Sequence, residues 1–176
     1  NGMNGSHLDG GSGNDILLGS SAGDVLIGGA GADQISSLQG NDFAYGHTES
    51  GAGDDLAADL IYGDDGNDEL HGHGGDDELH GGEGADQLVG GAGHDQIFGD
   101  GGNDELEGGE GNDLMHGDAD NDLLDGGAGN DQMFGGEGND QLDGGADHDQ
   151  MAGDDGNDQL VGGSGNDHMS GGAGND

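Results

Sequence analysis

Gly63–Ser170 reads GDDGNDELH, GHGGDDELH, GGEGADQLV, GGAGHDQIF and so on to GGSGNDHMS, twelve nine-residue units joined without insertion or deletion. Position 1 is Gly and position 6 is Asp in all twelve. Position 8 is always apolar: Leu70, Leu79, Leu88, Ile97, Leu106, Met115, Leu124, Met133, Leu142, Met151, Leu160 and Met169. A period this strict decides the architecture, because each unit must bury its one apolar residue against its neighbours.

Outward from this block the pattern is worn. Asn1–Asp9 keeps Gly2 and Leu8 but has Ser6 at position 6. Gly10–Leu18 and Gly28–Ser36 are complete, and Gly19–Ile27 carries Ala22 in place of the position 4 glycine. Ser37–Tyr45 has lost its first two glycines but keeps Gly40, Asp42 and Ala44. Residues 46–62 break the register and parse as an eight-residue insertion, GHTESGAG, followed by a degenerate unit, DDLAADLIY, with Asp59 and Ile61 in the key positions. The expected organisation is therefore 1–45 partly degenerate, 46–62 insertion plus degenerate unit, and 63–176 regular, the last unit stopping at Asp176. Neither end shows the polar cap that stacked repeats need, so the expectation is a longer chain, or self-association that covers the ends with other copies.

Composition narrows the function. Among 176 residues there are 48 Gly and 40 Asp plus Glu, with no Lys, Arg, Pro, Cys or Trp, and the formal charge is −40. With 27% hydrophobic residues, composition alone reads as disorder, but a disordered chain needs no apolar residue at every ninth position. A polyanion without basic residues binds neither nucleic acid nor an anionic membrane surface. Its partners are cations. Absence of Cys fits an extracellular setting without disulfides. No apolar run is long enough to span a bilayer.

Positions 1 to 6 have turn chemistry. Glycines at 1, 2 and 4 permit positive φ and close backbone approach, and Asn at position 5, as in Asn67, Asn103, Asn130 and Asn157, is the next most tolerant residue. Positions 7 to 9 form a short strand that points position 8 one way and positions 7 and 9 the other. Two units make an 18-residue coil with the position 8 side chains inside. Stacked coils give two parallel sheets with rows ~4.8 Å apart. The position 6 carboxylates then form two columns: Asp68, Asp86, Asp104, Asp122, Asp140 and Asp158 in one, and Asp77, Asp95, Asp113, Asp131, Asp149 and Asp167 in the other.

Neighbouring carboxylates ~5 Å apart repel by ~1 kcal/mol in water and ~3 kcal/mol at a partly buried surface. A cation between the turns removes that repulsion and ties successive coils together. Carboxylate plus turn-carbonyl oxygens form a hard, irregular donor set that suits Ca²⁺ better than Mg²⁺.

The units resemble the RTX nonapeptide GGxGxDxUx of bacterial proteins exported by type I secretion. The resemblance covers nearly the whole chain and implies an all-β fold, a right-handed parallel β-roll with two parallel sheets and rows of Ca²⁺ ions in the turns. Carried over unit by unit, it implies side-chain ligands at Asp15, Asp24, Asp33, Asp42, Asp68, Asp77, Asp86, Asp95, Asp104, Asp113, Asp122, Asp131, Asp140, Asp149, Asp158, Asp167 and Asp176. It implies turn-carbonyl ligands in the early units at Gly11, Gly13, Gly29 and Gly31. In the regular block these are Gly66, Gly75, Gly82, Gly84, Gly91, Gly93, Gly102, Gly109, Gly111, Gly127, Gly129, Gly136, Gly138, Gly145, Gly156, Gly163 and Gly165. Asp120 and Asp147 replace the position 4 glycine, and Asp64, Asp100, Asp118 and Asp154 the position 2 glycine; backbone carbonyls survive such exchanges. The resemblance also implies a secreted bacterial module that folds on calcium outside the cell, within a larger toxin, enzyme or adhesin. The alternative is a structural protein forming calcium-stabilised filaments by end-to-end stacking.

Other patterns carry no chemistry. The nine histidines sit at scattered unit positions, with His71 and His73 the one close pair, and read as solvated surface. Gly19–Gly23 spells G-x-S-x-G but lies in a turn without the strand–helix context of a nucleophile elbow. Asp118, Asp120 and Asp122 start like an EF-hand loop, yet Leu123 occupies its required glycine. Asn4-Gly5-Ser6 is a sequon by pattern only. No enzymatic constellation is present. On one face, position 9 of alternate units gives a row of His80, Phe98, His116, Phe134 and Ala152, a candidate lateral contact surface. Ile16, Leu18, Val25 and Ile27 point outward and are expected to lie under the 46–53 loop or a partner.

Overall fold

The computed structural model describes residues 5–48 and 56–176. Asn4 of the sequon pattern and residues 49–55 of the insertion lie outside the described residues. Eighteen strands, β1 to β18 in chain order, alternate between two sheets. The odd-numbered sheet runs β1 (His7–Ser12), β3 (Val25–Ala30), β5 (Phe43–Tyr45), β7 (Glu69–Gly74), β9 (Gln87–Ala92), β11 (Glu105–Glu110), β13 (Leu123–Ala128), β15 (Gln141–Asp143) and β17 (Gln159–Val161). The even-numbered sheet runs β2 (Ile16–Ser20), β4 (Gln34–Leu38), β6 (Leu60–Asp65), β8 (Glu78–Glu83), β10 (Gln96–Gly101), β12 (Leu114–Ala119), β14 (Gln132–Glu137), β16 (Gln150–Asp155) and β18 (His168–Ser170). All pairings are parallel, and in the regular block residue i faces residue i+18, as Leu106 faces Leu124 and Ile97 faces Met115. The chain is a parallel β-solenoid with two units per coil.

Between the sheets lies one thin apolar column. Position 8 side chains from Leu17 to Met151 are buried, Leu8 and Leu160 pack against them half-buried, and Met169 is 48% exposed. Each fully buried leucine, isoleucine or methionine contributes ~1.5–3 kcal/mol.

Most strands are six residues long, not three. In β8, Glu78-Leu79-His80 continues without a break into Gly81-Gly82-Glu83. Glycines at positions 1 and 2 read as turn in the sequence, yet they carry the parallel ladder, and the turn proper shrinks to positions 4 to 6. Position 1 faces inward beside position 8, and it is glycine for lack of space. A Cβ on Gly81 would stand 2.6 Å from Oδ2 of Asp86 and 2.8 Å from the carbonyl oxygen of Gly99. Positive φ belongs to positions 2 and 4 instead. There Asp64, Asp100, Asp118 and Asp154 hold φ of 66 to 71°, and Asp120 and Asp147 hold 77 and 81°.

The insertion enters inside a unit and not ahead of it. Gly46 already occupies position 1: its carbonyl accepts the amide of Gly29 (3.0 Å), its amide donates to the carbonyl of His71 (2.8 Å), and the Asp59 carboxylate lies over it. By Ala57, stacked against Gly75, the chain is back in register, and Ile61 joins the core with 0% exposure. Ile16 and Leu18 are 82% and 62% exposed and Val25 and Ile27 are half-buried; residues 49–53 of the loop expected to cover them lie outside the described residues.

Candidate metal centre

The turns at each edge place one Asp above another. In the first column the amide of each Asp donates to Oδ1 of the next: Asp24 to Asp42 (2.6 Å), Asp42 to Asp68 (2.8 Å), Asp68 to Asp86 (2.8 Å), and onward through Asp104, Asp122, Asp140 and Asp158 to Asp176. The second column starts at Asp15 and runs through Asp33, Asp59, Asp77, Asp95, Asp113, Asp131 and Asp149 to Asp167, with bonds of 2.7 to 3.2 Å. Both columns expected from the sequence are therefore present and longer. Asp59 joins the second one although its unit is degenerate. Its sequence signal was the spacing to Ile61, two residues on.

These carboxylates are buried. From Asp68 to Asp158 the column residues are 1 to 3% exposed. Oδ1 is spoken for by the amide of the preceding coil. Oδ2 of Asp15, Asp42, Asp68, Asp86, Asp95, Asp104, Asp113, Asp122, Asp131, Asp140, Asp149 and Asp158 is buried with no hydrogen-bond partner. Leaving a buried acceptor unsatisfied costs ~1–3 kcal/mol, more when it is charged. The chain has no Lys or Arg to answer it. Burial pushes the carboxyls of Asp68, Asp95, Asp104 and Asp122 up to about 7 and those of Asp86 and Asp131 up to about 6. The amide bond from the previous coil works against this rise, and neighbouring carboxylates add to it.

Asp24 departs from the pattern. Ser6 and Ser20 engage Oδ1, and the Ser20 amide donates to Oδ2 at 2.6 Å. Burial raises its carboxyl, but these hydrogen bonds outweigh burial and hold it below the ordinary value. At the far end Asp167 is half-buried and Asp176 exposed.

The glycines next to the columns make the turn. Those at position 2 from Gly11 to Gly163 have φ of 75 to 113°, and those at position 4 from Gly13 to Gly165 have φ of 115 to 159°, apart from Gly156. No three His, Asp or Glu side chains converge as a metal cluster among the described residues. An ion held at these edges would take its remaining oxygen donors from main-chain carbonyls of the turns. That donor set, one orphaned carboxylate oxygen among backbone carbonyls, fits a hard divalent cation of flexible coordination.

Two further ladders run beside the Asp columns. Asn121 donates through its amide and Nδ2 to Oδ1 of Asn103 (3.2 and 3.0 Å), and Asn139 does the same to Asn121 (2.9 and 2.8 Å). On the other edge His94 and His148 substitute within the ladder, each accepting on Nδ1 the amide of the next Asn, at 2.8 Å from Asn112 and 2.9 Å from Asn166. None of the position 5 asparagines has positive φ, so Asn is there for its side-chain amide and not for conformational tolerance. The position 9 row is also a ladder. Tyr62, His80, Phe98, His116 and Phe134 stack face to face at centroid distances of 4.7 to 5.3 Å. His80 is further held by Glu78 (3.1 Å) and Asp100 (3.5 Å).

Repeated turns that present one buried acidic oxygen each, two per coil, define a metal-binding solenoid. The family comparison makes this specific. A model of the RTX calcium-binding nonapeptide repeat (four copies) matches residues 9–44, 49–88, 80–115, 107–142, 116–151 and 143–176. The chain belongs to that family, and its fold is the calcium-binding β-roll. No curated protein matches it.

Proposed function

We propose that this chain is an extracellular, calcium-triggered folding module of a secreted bacterial protein, whose ions are held by Oδ2 of the column Asp residues and by carbonyls of the adjoining glycine turns. The observation that supports this most is the row of buried Oδ2 atoms without partners. In a chain of formal charge −40 with no Lys or Arg, a bound cation answers them at neutral pH. Modules of this kind outside cells bind Ca²⁺ with Kd of ~10⁻⁴–10⁻³ M. At cytosolic calcium the sites stay empty, the carboxylates repel, and the chain remains unfolded and fit for export. At millimolar calcium each site adds about 1 kcal/mol by mass action, and the array folds cooperatively. The active part of the host protein, a toxin, enzyme or adhesin, lies in other domains.

Circular dichroism during a calcium titration tests this reading. The expected result is β-structure that appears cooperatively with calcium and disappears in EDTA. Equal β-structure in EDTA at neutral pH would overturn it.

A further inference from the structure

Ser37 stands where the coils on both sides have glycine. Its carbonyl closes onto Gly19 as that of Gly81 closes onto Gly63, so it occupies position 1 without leaving the stack, and its residue is 0% exposed. At this position a Cβ points at the acidic carboxylate of its own unit. On Gly19 it would lie 2.8 Å from Oδ2 of Asp24, and on Gly63 it would lie 2.7 Å from Oδ2 of Asp68. For Ser37 the corresponding carboxylate is that of Asp42, 1% exposed.

Asp42 keeps both ladder bonds, accepting the Asp24 amide on Oδ1 (2.6 Å) and donating its own amide to Asp68 (2.8 Å). Its Oδ2 has no partner, and neither does Ser37 Oγ. A hydroxyl beside a carboxylate ordinarily donates to it. Here both oxygens remain open, in a place too crowded to favour a side chain at all. An apolar alanine would have brought the same crowding without the oxygen.

We infer that Ser37 Oγ is a metal ligand, which together with Oδ2 of Asp42 holds a calcium ion through a neutral hydroxyl that no other described position 1 residue offers. The inference rests on the calcium reading above. Hydroxyl and carboxylate are both hard oxygen donors of the kind Ca²⁺ accepts. The turn also keeps the φ pattern of its neighbours, with Leu38 at 76° and Gly40 at 135°.

Calcium isotherms of the full chain and of Ser37→Ala test it, with circular dichroism at saturating calcium as a check on folding. Ser37→Ala is expected to bind one ion fewer, or to lose at least tenfold affinity at one site. An unchanged ion count and affinity would overturn the inference. Ser37→Cys provides a second, independent arm, since the chain has no cysteine of its own and a thiolate prefers soft metals. Added Cd²⁺ should give a sulfur-to-metal charge-transfer band that Asp42→Asn abolishes in the same chain. A Ser37→Cys chain without the band, or with a band indifferent to Asp42, would count against ligation even if Ser37→Ala failed to fold. A wild-type chain that bound no calcium would refute the broader reading itself, an outcome distinct from equal binding by wild type and Ser37→Ala.

Discussion

The amide of Asp86 donates to Oδ1 of Asp104, eighteen residues on, at 2.9 Å, while Oδ2 of the same Asp104 is buried and unpartnered. One carboxylate thus divides its oxygens, one committed to the stack and one left open for the ion proposed above. Asp104→Asn separates them, because the amide oxygen still accepts from Asp86 while Nδ2 repels a cation. The variant should fold at high calcium but bind one ion fewer, with stability at fixed calcium lower by ~1–3 kcal/mol. Thermal melts at several calcium concentrations would show this; a melt with the wild-type calcium response would not fit.

Acid should replace calcium. Within the stacked turns, burial pushes the carboxyls of Asp68, Asp95, Asp104 and Asp122 up to about 7, above the ordinary 3.8. A folded pKa raised above the unfolded one contributes stability that is fully present below 3.8 and is lost as pH rises through about 7. In EDTA, β-structure should therefore grow on acidification across that window. Calcium affinity should fall over the same range as protons compete for Oδ2. Far-ultraviolet dichroism against pH, with and without calcium, measures both.

Two glycines two residues apart should respond differently to a methyl group. A Cβ on Gly99 would stand 2.6 Å from Oδ2 of Asp104 and 2.8 Å from the carbonyl oxygen of Gly117, whereas the nearest atom to one on Gly101 is 3.6 Å away. Gly99→Ala should raise the calcium midpoint of folding and cost ~1–3 kcal/mol. Gly101→Ala should stay within about 0.5 kcal/mol of wild type. Comparable midpoints for the two would contradict the packing described for position 1.

Asn121 lies in the middle of the side-chain ladder, bonded to Asn103 on one side and Asn139 on the other. Because the ladder is exposed, water replaces much of what is lost. Asn121→Ala should cost ~0.5–1.5 kcal/mol and leave the ion count unchanged. A lower ion count would place Asn121 in the metal site instead.

Most of the architecture was legible without coordinates. One apolar residue and one Asp per nine, held in phase from Gly63 to Ser170, are sufficient for two sheets, a central column such as Leu106 and Met115, and two acidic edges. This works because the period of the side chains is the period of the coil. The sequence by itself also determined the charge problem, since −40 with no Lys or Arg leaves cations as the only remedy. What only the tertiary structure decided concerns relations between coils, which a unit read in isolation does not contain. Glycine at position 1 reads as turn, but the Asp carboxylate folded over Gly81 makes it inward-facing strand. Asn at position 5 reads as a tolerant turn residue, but its neighbour eighteen residues away makes it a hydrogen-bonded ladder. The row from His80 to Phe134 becomes a ring stack, extended to Tyr62, because parallel register sets i beside i+18. Gly46 and Asp59 belong to one turn although the insertion separates them. Ser37 reads as a worn glycine, but the stack buries its hydroxyl at the inward-facing position 1 of the Asp42 unit. In each case the deciding force is a contact across ~5 Å of stacked backbone and not a preference of the residue itself.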